Sequence, residues 1–396
     1  MQESSVAGKQ GIYYARRDFL RFLALSPLFS LAGPAVYDLF SEDTEIDSPE
    51  SATNVFQFED VIRKKLSKGA FDFIHDGADD GKTIQANRDA FDRLQIRVRR
   101  LIDVSKIDTS IELFGEKWGS PILLSPVGFQ GIAHPEGEIA AARAAGTMKF
   151  LQMVSTVTTF PVGEIAKANP QNVWFQFYPT QDRGVSKELL NRANAAGCPV
   201  VVLTVDTPVL GNRESQIEFF KRVLKTSEGA MGNFPDLKME YGLADPTLTW
   251  GFIEWIRSNT KSKLVIKGIV THEDAKLCLD KGADAIMISN HGGRQEESNR
   301  GTIESLPEIM EVVQNRIPVL IDGGFRRGTD IFKALALGAR AVGIGRPYVW
   351  GLAAFGQPGV ERVLELLQAE LIRIMQLSGT TSIQRINSSY VTKRLM

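Results

Sequence analysis

Short apolar segments alternate with amphipathic segments along most of the chain, from about residue 120 onward. Each apolar segment is rich in β-branched or aromatic residues and too short for a helix, which predicts strands buried on both faces. Between them, segments such as EGEIAAARAAG (136–146) place apolar residues at helical spacing and end near a glycine. The eight apolar segments are ILLSPV (122–127), FLQMVS (150–155), VWFQFY (173–178), VVVLTV (200–205), LVIKGI (264–269), AIMISN (285–290), PVLIDG (318–323) and AVGIGR (341–346).

Eight consecutive strand–helix units favour an α/β fold of one type, a closed (β/α)8 TIM barrel over about residues 120–350. A doubly wound open sheet is the alternative. Residues 56–119 predict an N-terminal helical extension with a short strand before the barrel. Residues 211–262 form a long loop after the fourth strand, which is typical of a lid or binding loop, and residues 360–379 predict an amphipathic C-terminal helix.

The first 36 residues have a different pattern. ARRDFLRFLALSPLFSLAGPAV (15–36) places paired Arg16 and Arg17 before a short apolar run, the anatomy of an export signal rather than of a membrane-spanning helix. The paired arginines resemble a twin-arginine signal, which exports folded proteins; a basic amphipathic extension that stays on the protein is the alternative. Residues 37–55 contain six acids and no base, which predicts a solvated linker before a main domain at 56–396.

Composition narrows the functional classes. A formal net charge of −1 argues against nucleic acid as a partner. The two cysteines, Cys198 and Cys278, lie in apolar contexts and predict buried free thiols. No second histidine or cysteine has metal-ligand spacing, so no metal site is predicted.

Barrel active sites are built at the C-terminal ends of the strands, where this chain places most of its candidate residues. Lys267 and Asp206 are charged residues in or at the ends of apolar strands, where each needs a partner or a ligand. A salt bridge lining the barrel is the alternative for both. The polar residues at the strand ends are Gln176, Tyr178, Thr204, Asp206, Lys267, Ser289, Asn290, His291, Arg294, Asp322, Gly345 and Arg346.

Three of these strand ends have a more specific pattern. SNHGGRQ (289–295) puts His291, a base near neutral pH, three residues before Arg294, which can clamp a carboxylate. This pair suits proton abstraction from an acid substituted at its second carbon. DGGFRRG (322–328) and GIGRP (343–347) are glycine-rich turns whose backbone N–H groups predict a phosphate site. His134 and His272 are expected to be structural.

These motifs together resemble one family. SNHGGRQ, IDGGFRRGTDIFKALALGARAVGIGRP (321–347), LTVDTP (203–208) and HPEGE (134–138) are similar to the FMN-dependent 2-hydroxy-acid oxidases and dehydrogenases, which include glycolate oxidase, lactate oxidase, and lactate and mandelate dehydrogenases. The resemblance covers about residues 56–390. The glycine-rich turns are shared with other FMN barrels, so the histidine motif makes the distinction.

The resemblance implies a role for each candidate residue, with FMN as the cofactor. His291 would be the active-site base, held by Asp206, and Tyr178 would bind the substrate oxygen at the reacting carbon. Arg294 would clamp the substrate carboxylate with help from Arg213. The residues that would bind FMN, from the ring to the phosphate, are Pro126, Val127, Gly128, Thr156, Gln176, Thr204, Lys267, Ser289, Asp322, Gly324, Arg326, Gly345 and Arg346.

One departure from the family pattern concerns the substrate. Phe73, in FDFIHDGADD, stands where the family has a tyrosine that helps to bind the substrate carboxylate. Losing a buried hydroxyl removes about 1 kcal/mol of net binding and makes the pocket less polar. A bulkier or more apolar 2-hydroxy acid is therefore expected to fit at least as well as glycolate. His75, in the same stretch, is expected at the surface. Gly128, where glycolate oxidases have alanine, leaves more room beside the flavin.

The sequence thus predicts an enzyme that oxidises an L-2-hydroxy acid to the 2-oxo acid and passes electrons to oxygen or to a respiratory carrier. A flavin-binding barrel with altered or lost activity and a redox-neutral FMN isomerase are the alternatives. The N-terminal signal implies the twin-arginine export machinery as a partner and a periplasmic location, with a cytoplasmic, membrane-associated protein as the alternative. The resemblance implies a homo-oligomer, a tetramer.

Overall fold

A computed structural model describes residues 46–169, 171–223, 225–226, 230–234 and 244–394. Its centre is a closed barrel of eight parallel strands, which confirms the predicted TIM barrel. The strands are β1 (Leu94–Ile96), β2 (Ile111–Leu113), β3 (Glu116–Trp118), β4 (Ile122–Leu124), β5 (Leu151–Val154), β6 (Val173–Phe177), β7 (Val200–Thr204), β8 (Lys263–Ile269), β9 (Ala285–Ile288), β10 (Val319–Ile321), β11 (Ala341–Ile344) and β12 (Val391–Lys393).

Helices alternate with the barrel strands and form an outer layer around them. The helices are α1 (Phe56–Lys65), α2 (Lys68–His75), α3 (Lys82–Asp92), α4 (Gly137–Met148), α5 (Val162–Ala168), α6 (Arg183–Ala195), α7 (Ile217–Val223), α8 (Phe252–Asn259), α9 (His272–Asp280), α10 (Thr302–Val313), α11 (Gly328–Ala336) and α12 (Arg346–Ser378). The predicted C-terminal helix is the second half of α12, which bends at Phe355 and Gly356. No helix in the described ranges combines the length and the apolarity needed to cross a membrane.

The barrel closes because the last strand pairs with the first. β11 lies parallel to β4, with Val342 opposite Ile122 and Ile344 opposite Leu124. Seven of the eight barrel strands are buried along their whole length, as apolar segments covered on both faces should be. Most strands are shorter than their apolar segments, since polar residues such as Ser125 leave the ladder and enter the loops above the barrel.

The strands of the N-terminal extension form two short antiparallel pairs outside the barrel. β1 pairs with β12 near the C-terminus, with Ile96 opposite Val391. β2 and β3 form a hairpin whose two turn residues, Phe114 and Gly115, both have positive φ angles of 53° and 83°. Such a turn matches the twist of the strands it joins. Helices α1 to α3 come before β1, as the sequence predicts.

Part of the predicted linker belongs to this folded unit. The predicted signal, residues 1–36, and residues 37–45 lie outside the described residues. In residues 46–55, however, Ile46, Ala52 and Val55 are buried, and the Arg362 side chain donates to the carbonyl of Ala52. This segment differs from the solvated linker that its acidic residues predicted, because three apolar side chains pack on the domain.

The loop after the fourth barrel strand contains helical segments. A 3-10 turn at Glu214–Gln216 leads into α7, and α8 returns the chain to β8. Residues 230–234 pack on the loop after β5, where the Asn233 side chain donates to the carbonyl of Thr156 at 2.9 Å. The predicted lid also includes residues 235–243, which lie outside the described residues.

Candidate active site

The structure brings most of the predicted site residues together at the C-terminal end of the barrel. His291 lies three residues after β9, with a positive φ angle of 56°, and Gly292 and Gly293 continue with φ angles of 67° and 76°. Left-handed backbone is uncommon for a residue with a side chain and occurs where the surroundings enforce it. The backbone N–H of His291 donates to the Ser289 hydroxyl at 3.0 Å, which helps to hold this turn.

His291 connects a carboxylate on one side to a phenol on the other. Its Nδ1 lies 2.9 Å from Oδ1 of Asp206, and its Nε2 lies 3.2 Å from the hydroxyl of Tyr178. An ionised carboxylate can only accept, so Nδ1 carries the hydrogen and Nε2 is free to accept one. The imidazole is therefore presented as a base whose orientation Asp206 sets.

Electrostatics keep this base neutral in the free protein. Burial, the largest cause, lowers the pKa of His291, and Lys267 and Arg294 act in the same direction while Asp206 partly offsets them. Burial alone would raise the pKa of Asp206, but attraction to His291 and Lys267 outweighs it and lowers that pKa. Burial and the Asp206 charge raise the pKa of Tyr178, so its phenol stays protonated.

Lys267 is a buried cation between two carboxylates. The residue is 3% exposed, and its Nζ donates to the Ser289 hydroxyl at 2.8 Å. Nζ also lies 4.0 Å from Oδ2 of Asp206 and 3.9 Å from Oδ2 of Asp322. The predicted alternative, a barrel-lining salt bridge, is thus partly present. Both contacts are long for direct ion pairs, so the ammonium keeps capacity to stabilise further negative charge.

Arg294 is held almost entirely by neutral acceptors. One terminal nitrogen donates to the carbonyls of Phe73 and Asp76 at 2.7 and 2.9 Å, and the other donates to Oε1 of Gln216 at 3.3 Å. Of its five N–H groups, Nε–H and one terminal N–H remain. Burial, followed by repulsion from Arg213 and Arg346, lowers the pKa of Arg294 well below its usual value. A bound anion would relieve that repulsion.

Arg213 lies close enough to repel Arg294, and its terminal nitrogen donates to Oε1 of Gln295 at 3.0 Å. Neither guanidinium forms an ion pair with a carboxylate within the described ranges. Gln216 and Gln295 are site residues that the sequence did not indicate. Gln216 belongs to no motif, and Gln295 ends SNHGGRQ without a role that its amide alone would indicate. Only the folded chain places both beside the arginines.

A buried amide network lies at the ends of β5, β6 and β7. The Gln176 side chain donates to the Thr204 hydroxyl at 3.0 Å and accepts from the Ser155 hydroxyl at 3.1 Å. The Thr156 hydroxyl is used differently. It donates to the carbonyl of Gln176 at 2.6 Å and accepts from the N–H of Tyr178 at 3.0 Å. The Ser155 hydroxyl also accepts from the N–H of Val157 at 3.2 Å, so both hydroxyls have protein partners. The assignment of Thr156 to FMN stays a prediction, and Ser155, which the sequence prediction omitted, is a further cofactor candidate.

Two further arginines lie around the glycine-rich turns. The guanidinium of Arg326 stacks on the Trp350 ring, 4.6 Å from its centroid, and Arg346 donates to the carbonyls of Ile74, Asp76 and Gly292. Burial lowers the pKa of both, and the neighbouring Arg346 lowers that of Arg326 further. With Gly345 before the first turn of α12, they form an electropositive site suited to a phosphate.

The residues present fit the predicted FMN cofactor. Oδ1 of Asp322 is buried and has no hydrogen-bond partner among the described residues, so it can accept from a ribityl hydroxyl. Gly324, with a φ angle of 85°, follows it in the turn that leads to Arg326. The loop of Pro126, Val127 and Gly128 follows β4 at the same end of the barrel. His134 and His272 belong elsewhere: His134 accepts from the N–H of Glu136, and His272 is half-exposed at the start of α9.

Comparisons with known proteins identify the family of the chain. A family model described as FMN-dependent dehydrogenase matches residues 62–393. L-lactate oxidase of Nostoc sp. is 42% identical over 367 residues, 88% of this chain and 99% of that protein. Glycolate oxidase 3 of Arabidopsis thaliana is 42% identical over 351 residues, 86% of this chain and 95% of that protein.

Solved structures show the same relationship. A mandelate oxidase mutant with (S)-mandelic acid superimposes with a TM-score of 0.81 at 36% identity, covering 87% of this chain and 99% of that one. A soluble mutant of the membrane-associated (S)-mandelate dehydrogenase from Pseudomonas putida gives 0.81 at 32% identity, covering 86% and 99%. The chain therefore belongs to the FMN-dependent 2-hydroxy-acid oxidase and dehydrogenase family, with FMN as its cofactor.

Proposed function

We propose that the protein oxidises an L-2-hydroxy acid to the corresponding 2-oxo acid. The observation that carries this proposal is the base itself: Nε2 of His291 is free to accept a proton, while Asp206 holds Nδ1 at 2.9 Å. The buried Arg294 lies near enough to lower the pKa of the same imidazole. A base beside a carboxylate-binding guanidinium suits removal of a proton from a 2-hydroxy acid.

Arg294 would bind the substrate carboxylate through the N–H groups that the protein leaves unused. Nε–H and one terminal N–H can form two parallel hydrogen bonds with a carboxylate. Arg213 would add positive charge on the same side. The Tyr178 hydroxyl, 3.2 Å from Nε2 of His291, would donate to the substrate oxygen and fix the reacting carbon beside the base.

The chemical step removes two electrons and two protons from the substrate. Nε2 of His291 takes one proton, and the imidazolium that results pairs with Asp206, the counter-charge already in place. Bound FMN would supply the acceptor for the two electrons and for the second proton. Lys267 would offset the negative charge that accompanies reduction, since its ammonium is buried and only distantly paired.

The substrate would be bulkier or more apolar than glycolate. Phe73 is 8% exposed, and the Arg294 guanidinium lies over its ring, 5.2 Å from the centroid. The Phe219 ring lies on another side, with its centroid 6.4 Å away. These two rings offer no hydroxyl to a substrate, so they would form a matching surface for an apolar group at the second carbon of the substrate. A flavin protein that has lost the activity remains the competing proposal, also favoured by Phe73.

We further propose the finer features that the sequence predicts. Electrons would leave to oxygen or to a respiratory carrier, residues 1–36 would direct twin-arginine export to the periplasm, and the protein would form a homotetramer. Cell fractionation of the full chain, with and without Arg16→Lys and Arg17→Lys, tests the export route. Retention of the double variant in the cytoplasm would support it, and equal export of both proteins would contradict it.

The experiment that tests the reaction is an anaerobic spectrum of the purified protein mixed with L-2-hydroxy acids from short to aromatic. We expect loss of the oxidised-flavin band with L-acids and little change with their D-enantiomers. Readmitting oxygen then separates an oxidase, which recovers its band quickly, from a dehydrogenase. A flavin-loaded protein that no acid bleaches would contradict the proposed reaction and favour the competing proposal.

A further inference from the structure

Helix α3, which lies outside the barrel, packs directly against the two loops that hold the base and the phosphate site. Gly293 belongs to the loop after β9, and a Cβ there would lie 2.8 Å from the backbone nitrogen of Ile84. Gly324 belongs to the loop after β10, and a Cβ there would overlap the carbonyl of Asn87. Backbone contact this close fixes the loops relative to the helix.

Asn87 on α3 and Asn290 in the loop form a reciprocal amide pair. Each side-chain nitrogen donates to the other side-chain oxygen at 3.0 Å, and the two residues are only 2% and 3% exposed. Asn290 also donates to the carbonyl of Arg300 at 3.1 Å, and Oδ1 of Asn87 also accepts from the N–H of Thr302 at 3.0 Å. These two backbone contacts fix which way each amide points.

The Asn87–Asn290 pair links the His291 loop to the Asp322–Gly324 turn through hydrogen bonds and neighbouring residues. Asn290 directly precedes His291, whose left-handed backbone has to be held by its surroundings. In the other direction, Thr302 donates from its hydroxyl to the carbonyl of Asp322 at 2.6 Å. The residue after Asn87, Arg88, donates to the carbonyl of Gly324 and, at 2.6 Å, to Asp330.

We propose that Asn87 is a positioning residue that holds the His291 loop and the Asp322–Gly324 turn in their working arrangement. Its side chain bonds to Asn290 and Thr302 rather than to His291 or Asp322, and in this way its amide sets the loops that carry those two residues. The part concerning His291 rests on the proposed function, whereas the part concerning FMN binding does not. Removing the amide should therefore weaken both FMN affinity and turnover.

The variant Asn87→Asp tests the amide pair itself. A carboxylate at this position can still accept from Asn290 and Thr302, but it cannot donate to Oδ1 of Asn290, and Asn290 cannot turn around without losing Arg300. A protonated carboxylic acid can donate, so it restores both bonds of the pair. Burial raises the pKa of such an acid, so the protonated form becomes more populated as the pH falls.

We expect Asn87→Asp to bind FMN at least about tenfold more weakly than wild type near pH 8, because a buried acceptor loses its donor. Near pH 5.5 the ratio to wild type should return to within about threefold, for both the FMN dissociation constant and kcat. Asn87→Ala should stay impaired at both pH values. The charged groups around the pair, Arg88, Arg300 and Asp322, are present in every variant, so ratios to wild type compare the amide pair itself.

Gln85→Glu, the same amide-to-acid change on the exposed face of α3, is the matched control and should leave FMN affinity within about twofold. If Asn87→Asp does not fold, Asn290→Asp allows a partial comparison, because its protonated acid can restore the bond to Asn87 but not the second bond, to the carbonyl of Arg300. Wild-type affinity at both pH values, or an equal loss at both, would overturn the proposal. A wild-type protein that binds FMN but oxidises no hydroxy acid would instead contradict the proposed function and leave the FMN result intact.

Discussion

Substitution of Asp206 by asparagine isolates the charge that faces the base. Oδ1 of Asp206 lies 2.9 Å from Nδ1 of His291, and Oδ2 lies 4.0 Å from Nζ of Lys267. Asparagine has the same size, and its carbonyl oxygen can still accept from Nδ1–H. The orientation and the tautomer of the imidazole can therefore persist while the counter-charge for the imidazolium is lost.

The magnitude follows from what the charge contributes when His291 is protonated. Two unit charges about 4 Å apart attract by about 4 kcal/mol at an effective dielectric constant of about 20. Exchange of a charged for a neutral acceptor alone weakens a hydrogen bond by about 1 kcal/mol. These limits correspond to a fall in kcat/KM of between about fivefold and about 1000-fold. Because His291 carries only part of its positive charge in the transition state, we expect a fall of about 100-fold.

The pH profile distinguishes this effect from simple damage. Asp206 raises the pKa of His291, so its removal should move the acidic limb of kcat/KM to lower pH while the plateau falls. Asp80→Asn is the matched control, because Asp80 is an exposed carboxylate 2.9 Å from Lys82, and it should change kcat/KM by less than about twofold. The reasoning would be refuted if Asp206→Asn kept its plateau value of kcat/KM within about threefold of wild type and if the acidic limb of its pH profile did not move.

Three further predictions concern the same site. Phe73→Tyr should favour short over bulky acids by about fivefold in kcat/KM, since one hydroxyl adds about 1 kcal/mol; no change in the ranking of acids would contradict this. Arg294→Lys should raise KM about 10- to 100-fold, because lysine cannot form two parallel hydrogen bonds with the substrate carboxylate. An unchanged KM would show that the carboxylate binds elsewhere. Gly128→Ala should lower the free energy of unfolding by about 1–3 kcal/mol, because its Cβ would lie 2.6 Å from Cγ2 of Val157. Thermal denaturation measures this, and Gly128→Ala should cost less in a Val157→Ala background than in wild type; an equal cost in both backgrounds would exclude the contact with Cγ2.

The barrel could be predicted from the sequence because its signal is local and repeated. Eight apolar segments at regular spacing define the strands, and the strand ends then locate His291, Asp206 and Lys267 without any knowledge of contacts. These residues lie together because the barrel geometry gathers all eight strand ends on one face.

Contacts between distant segments were not predictable. Asn87 and Asn290 are 203 positions apart, and neither belongs to a pattern that indicates its partner. Thr156 and Ser155 differ by one position at the end of a strand, so their opposite directions depend on where the ladder ends. The burial of residues in segment 46–55 could not be predicted, because three apolar residues among acidic ones give no periodic signal.

The most direct test compares wild type with His291→Asn in an anaerobic stopped-flow experiment at saturating substrate. Asparagine tolerates the left-handed backbone at this position but cannot serve as a base near neutral pH. We expect the variant to retain FMN and to reduce it about 100- to 10,000-fold more slowly than wild type. Flavin reduction at the wild-type rate in a variant that keeps its FMN would show that His291 is not the base.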